Sequence, residues 1–173
     1  MSKLRILTYP DSFLLNPTES LENIDGQTQQ MIDSMAETMY AAPGIGLAAI
    51  QVGWDRSVLV YDIAPRNDHR QLHVLINPRI IANEGEVLSE DEGCLSVPDY
   101  RADVKRAERI LVEGVDRDGN PLRVEAEGLQ AIVLQHEIDH LNGRLFIDRI
   151  SALKRELYKR RVKKMIRESE HAV

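Results

Sequence analysis

Strand-type apolar runs fill residues 55 to 127, helical spacing appears near both ends of the chain and once after the strands, and no β-α-β alternation links them. These three observations predict an α+β fold, with antiparallel β-sheets packed around a central helix and further helices at the N- and C-terminal ends. A chain of 173 residues is long enough for one sizeable core and short for two, so a single domain over 1–173 is expected.

In order, Leu4 to Thr8 reads as a short strand or extended arm, turned by Tyr9-Pro10-Asp11, with a helical turn at Ser12 to Leu15. Ile24 to Ala42 is a helix, because Met31, Ile32, Met35, Met39 and Tyr40 share one face, and Pro43-Gly44 ends it. Gly44-Ile45-Gly46-Leu47-Ala48-Ala49-Ile50-Gln51 lacks the lysine of a phosphate loop. Its glycines let backbone pass close to another group, and Leu47 to Ile50 is apolar enough for burial. Gln51 then needs partners, either backbone groups or a developing negative charge. Arg56 to Ile63 and Leu72 to Asn77 are strands around a polar loop at residues 64–70, and Pro78 to Val87 continues extended. Pro98-Asp99 reads as a turn. Glu108 to Asp116 and Leu122 to Ala126 form a hairpin about Arg117-Asp118-Gly119-Asn120. A helix from Gly128 stops at Asn142-Gly143, Arg144 to Ile147 reads as a short strand, and a last helix covers about 151–170.

The central helix carries His136-Glu137-Ile138-Asp139-His140, an H-E-x-x-H pattern. Two imidazoles four residues apart lie on one helix face and reach a single metal ion, while Glu137 addresses a water on it. The same pattern also occurs on solvated helix faces that bind nothing, so a third ligand matters. A catalytic site has three protein ligands and one open position. The extended peptidase form of the motif would need a histidine where Phe146 stands, and Glu156 sits among basic neighbours. Cys94, the only cysteine, lies in the polar segment Glu92-Gly93-Cys94-Leu95-Ser96. A lone cysteine is commonly a small buried hydrophobe, but a thiolate with two imidazoles is a recognised catalytic set.

Taken together, the glycine-rich run, the Cys94 segment and the H-E-x-x-H helix resemble the three signature motifs of the peptide deformylases, in the same order and over nearly the whole chain. The resemblance implies a metal-dependent hydrolase that removes the formyl group from the N-terminal formyl-methionine of newly synthesised proteins and releases formate. It implies Cys94, His136 and His140 as ligands of one divalent metal, with Fe(II) native and Zn(II), Ni(II) or Co(II) as substitutes. Glu137 becomes the general base, and the Gln51 amide and Leu95 backbone N–H hold the oxyanion. Ile45, Leu129, Ile132 and Val133 map onto the methionine pocket, Ile45, Gly46 and Gly93 onto the backbone that meets the peptide, and Arg101 onto the mouth. Each has a plainer alternative, core packing for the apolar side chains and a surface charge for Arg101. Glu90 stands where some members place an apolar pocket residue. Glu92 is a candidate acceptor for a ligating histidine, and Asp139 a partner for Arg106. The alternatives are an H-E-x-x-H metallopeptidase cutting internal bonds and a non-catalytic, ribosome-associated metal protein.

Net charge of -6 argues against broad nucleic-acid binding, so no specific DNA binding is expected, and no apolar run reaches membrane-span length. One cysteine and an N-terminus without a signal-peptide pattern fit a cytoplasmic protein. The last helix is the exception in charge. It sets an apolar stripe (Leu153, Leu157, Tyr158, Val162, Met165, Ile166) against Lys154, Arg155, Lys159, Arg160, Arg161, Lys163, Lys164 and Arg167. Similarity to deformylases with a C-terminal helix implies ribosome docking through that face. No heptad seam is present, so a monomer is expected.

Overall fold

The computed structural model describes residues 3–65 and 68–171. Residues 1, 2, 66, 67, 172 and 173, which include parts of the N-terminal reading, the loop at 64–70 and the chain's last residues, lie outside that description. The predicted α+β class holds. Helix α1 (Gly26–Ala41) precedes strands β1 (Gly46–Ala48), β2 (Val58–Tyr61), β3 (His73–Glu84), β4 (Val87–Cys94), β5 (Val97–Arg106), β6 (Arg109–Val115) and β7 (Pro121–Glu127). Helices α2 (Gly128–Leu141) and α3 (Ala152–His171) follow. The strands make a five-stranded antiparallel sheet in the order β1-β2-β3-β6-β7 and a separate β4-β5 hairpin.

Strand periodicity decides the layering. Val58 and Val60 of β2 and Val74 and Ile76 of β3 pack with Ile32, Met35 and Met39 of α1. The intervening Leu59, Tyr61 and Leu75 face the other way and pack with Ala131, Leu134, Ile138 and Leu141 of α2. Strand β2 and the first part of β3 are therefore buried on both faces, which explains why Val58-Leu59-Val60-Tyr61 is apolar without interruption. In α1, the Asp25 carboxylate accepts the Thr28 N–H at 2.9 Å, so the helix starts two residues later than its apolar pattern suggests. Gly128, at φ 58, lets β7 turn into α2 without a loop. Gly143, at φ 73, ends α2 as expected, and a Cβ there would lie 2.6 Å from the Leu15 carbonyl oxygen.

Of its two readings, the N-terminal arm takes the extended one and forms no strand, with Leu7 N–H donating to the Gln51 carbonyl and Tyr9 N–H to the Ser96 carbonyl, both at 2.7 Å. Two local readings are corrected. Pro98-Asp99 is not the turn. The chain reverses at Leu95-Ser96, and β5 runs on through both residues, with Asp99 at φ 57. Arg144 to Ile147 is not a strand but the approach to a 3₁₀ helix at Phe146–Arg149. The Asp148 carboxylate accepts the Leu145 N–H at 2.9 Å, while Leu145, Phe146 and Ile147 are buried against β5 and α3. The apolar stripe on α3 is present as read, and it is mostly unburied. Tyr158 and Val162 are covered, but Leu153 is 71% and Leu157 55% exposed. The helix meets the body mainly where Tyr158 packs on Tyr9 and Tyr100.

Candidate metal centre and its groove

Helical rise puts His136 and His140 one turn apart on α2, and β4 ends at Cys94 beside them. Cys94 Sγ lies 3.2 Å from His140 Nε2, which lies 3.3 Å from His136 Nε2. All three ligand atoms fall within 4.8 Å of one another. Nitrogen and sulfur donors at ordinary bond lengths around one tetrahedral ion sit about 3.3 to 3.6 Å apart, so the donor set fits a metal such as zinc or iron.

The second ring nitrogen of His136 is already oriented. Its Nδ1 lies 2.7 Å from Glu92 Oε1, which leaves Nε2 to the cluster. Burial disfavours the charged form of both imidazoles. At His140, burial and the facing His136 hold the ring well below the usual histidine value, neutral as a ligand requires. At His136, burial is outweighed by the Cys94 sulfur and Glu92, and the ring is raised. A proton shared among tightly packed donors is what a bound cation displaces.

Glu137 faces the same centre. It is buried, its Oε2 has no hydrogen-bond partner, and burial pushes its carboxyl up to about 7. Gly46 explains how it fits. A Cβ there would lie 2.5 Å from Glu137 Oε1 and 2.9 Å from both Cδ and Cγ. Gly46 thus touches the side chain of Glu137 as well as lining the groove.

Gln51 makes the structural backbone bond considered from sequence and turns its amide nitrogen toward the Cys94 segment. Its Oε1 accepts the Ala48 N–H at 2.9 Å, a structural bond that fixes which end of the amide is nitrogen. Nε2 then donates to Ser96 Oγ at 3.0 Å and lies 3.7 Å from Cys94 Sγ. Ser96 was not singled out from sequence, although it stands in the quoted Cys94 segment. It is fully buried, and its N–H donates to Cys94 Sγ at 3.3 Å. Leu95 follows Cys94 at the hairpin tip and packs toward the α1 side of the core.

These residues floor a groove of about 840 Å³. Ile45, Gly46, Gly93, Arg101, Leu129, Ile132 and Val133 all line it, as do Gln51, Cys94, Leu95, His136 and Glu137. His140 lies beneath, 1% exposed. Ile45 and Leu129 stand half-exposed at the wall, whereas Val133 is buried and shared with the core. The Ile45 carbonyl already accepts the Asp62 N–H at 2.9 Å. Arg101 lies over Gly93 and donates to the Asp91 carbonyl at 3.1 Å. Glu90, Asp91, Asp99 and Tyr100 complete the rim.

Residues 3–156 match the family model for polypeptide deformylase. The chain belongs to the polypeptide deformylase family. It is therefore an enzyme, a hydrolase, as the three motifs implied. Among peptide deformylases it is 56% identical to that of Desulfosudis oleivorans, over 98% of each chain. It is 52% identical to that of Thermodesulfovibrio yellowstonii, over 94% of this chain and 98% of the other. The crystal structure of the Legionella pneumophila peptide deformylase superposes with a TM-score of 0.88 at 42% identity, covering 98% of each chain. That of Ehrlichia chaffeensis peptide deformylase in complex with actinonin gives 0.88 at 40%, covering 95% of this chain and 98% of the other. These similarities support neither an internal-bond peptidase nor a non-catalytic metal protein. No helix among the described residues is long and apolar enough to cross a membrane.

Proposed function

We propose that the chain removes the formyl group from the N-terminal formyl-methionine of newly synthesised proteins, releasing formate, with Cys94, His136 and His140 holding one divalent metal. The reading is carried by one observation: three ligand atoms within 4.8 Å at the floor of a groove, beside a buried carboxylate oxygen with no partner. When bound, the metal supplies an acidified water and polarises the carbonyl. Glu137 takes that water's proton and passes it to the leaving amine. The Gln51 Nε2 and the Leu95 backbone N–H donate to the developing oxyanion. Ile45, Leu129, Ile132 and Val133 take the methionine side chain. Gly46 and Gly93 bring backbone close to an extended peptide, as in strand addition, and Arg101 stands at the mouth.

The native metal is Fe(II), and a thiolate with two imidazoles also suits Zn(II), Ni(II) or Co(II). Residues 1–173 act as one domain, as a monomer in the cytoplasm. Exposed apolar and basic residues on α3 support docking on the ribosome. Reversing the exposed charges Lys163, Lys164 and Arg167 to Glu is expected to reduce co-sedimentation with ribosomes while short-peptide turnover persists; unchanged co-sedimentation rejects the docking.

The deciding experiment is formate release from a formyl-methionyl peptide by protein purified anaerobically and loaded with Fe(II). Formate without internal cleavage is expected. Internal fragments, or a metal-loaded protein that releases no formate, would overturn the reading.

A further inference from the structure

No step above uses Arg149, which sits in the 3₁₀ turn leading into α3 and does not line the groove. Its guanidinium grips both oxygens of Asp139, Nε to Oδ2 at 2.5 Å and Nη2 to Oδ1 at 2.6 Å. Asp139 Oδ2 also accepts from Arg106 Nη1 at 2.7 Å. Arg106, only 1% exposed at its side chain, turns its other nitrogens to Glu92, with Nη2 at 2.5 Å and Nε at 3.3 Å. Glu92 Oε1 meets His136 Nδ1 at 2.7 Å.

We propose that Arg149 is a positioning residue for the metal site, completing a charge-balanced chain, Arg149–Asp139–Arg106–Glu92, that fixes the ring of His136. The proposal rests on the reading of His136 as a metal ligand. Two guanidinium groups and two carboxylates balance, and each interior group serves two neighbours. Without Arg149, Asp139 keeps a buried negative charge and loses the partner of Oδ1. A buried carboxylate in that state is costly, and the nearest remaining cation is Arg106. Arg106 relieves Asp139 by moving toward it and giving up part of its fork on Glu92. Glu92 then holds His136 Nδ1 less firmly, although Arg149 touches neither residue. The chain also joins the root of α3 to the metal helix through side chains alone.

The test uses the full chain loaded with Co(II), with the metal's absorption followed after adding excess EDTA. Arg149→Met keeps an apolar stem and removes the charge. It is expected to release Co(II) about tenfold faster, the lower end of the effect of losing a direct partner of a ligating histidine. KM for a short formyl-methionyl peptide should stay unchanged. Adding Asp139→Asn removes the stranded charge and frees Arg106 for Glu92, so the double variant should return to within about threefold of the original rate. An anchor serving only to seat α3 would instead lower the thermal midpoint without changing release, and the second substitution would rescue nothing; either result overturns the proposal. Should Arg149→Met not fold, the double variant decides: near-original release supports the chain, and fast release or failure to fold overturns it. Undiminished Co(II) binding by His136→Ala would point elsewhere, to failure of the metal-site reading itself.

Discussion

Replacing Gly46 by alanine tests whether backbone shape, and not chemistry alone, sets the general base. The added Cβ would lie 2.5 Å from Glu137 Oε1, and ordinary contact begins near 3.4 Å. Oε1 must therefore retreat by about 0.9 Å, a displacement of the size that costs a catalytic group about 10²-fold. Rotating the carboxylate is not enough, because Cγ is also 2.9 Å from the new carbon. Nor is there free space, since Glu137 is only 4% exposed. The same crowding should destabilise the fold by about 1–3 kcal/mol, as overpacking generally does. Formate release at saturating substrate, metal content and the thermal midpoint would be measured on the same preparation. Gly46→Ala is expected to keep its metal, lower kcat about 10²-fold and change KM little. With Glu137→Ala added, the loss should be no greater than that of Glu137→Ala alone. A folded alanine variant with wild-type kcat would refute the reasoning: either Glu137 is not the base, or Gly46 does not position it.

Glu137→Ala alone should retain metal and lose nearly all turnover; a variant with normal turnover removes Glu137 as the base. Gln51→Leu should lower kcat on the order of 10²-fold or more, the scale for one oxyanion donor, and an effect confined to KM would make Gln51 a binding residue instead. Acid stability should report Glu92. Burial raises its carboxyl, but His136 and Arg106 prevail and lower it from 4.5 to about 2. A depressed folded value stabilises the fold above about 4.5, and that contribution is lost as pH falls toward 2. In metal-free protein, Glu92→Gln should therefore flatten the decline of the urea midpoint over this range, and parallel curves for the two proteins would exclude the linkage.

What the sequence made legible was local. The H-E-x-x-H spacing is itself helix geometry, so His136 and His140 could be put on one face before any tertiary structure was known. The apolar face of α1 was legible for the same reason, as Ile32, Met35 and Met39 are all fully buried. Strand β5 was not, because Arg101, Asp103 and Lys105 interrupt its apolar residues and no turn residue marks its start. The exposure of the α3 stripe depends on where the helix leaves the body, which its own periodicity does not encode. Arg106 shows the limit most clearly. From sequence it could be offered as a partner for Asp139, but its fork on Glu92 joins residues 14 positions apart through the β4–β5 hairpin. Arg149 gave no signal, since its partner becomes visible only once the 3₁₀ turn is folded against α2.

The arrangement of edges connects fold to substrate. Among the described residues, β1 pairs only with β2, and β4 only with β5. Each therefore has an unpaired side, which in most proteins invites aggregation. Here residues of both strands line the same groove, with the metal cluster and Glu137 at its floor. An extended chain can add to such an edge through main-chain hydrogen bonds, which are indifferent to sequence. That suits an enzyme whose substrates share a first residue and differ in every later one. On the proposed pocket, selectivity then falls on the first side chain, beside Ile45, Leu129 and Ile132. Neutralising Glu90 on the rim, as Glu90→Gln, should change the preference for methionine over other first residues in kcat/KM without touching the cluster beneath, and an unchanged preference would remove Glu90 from the pocket.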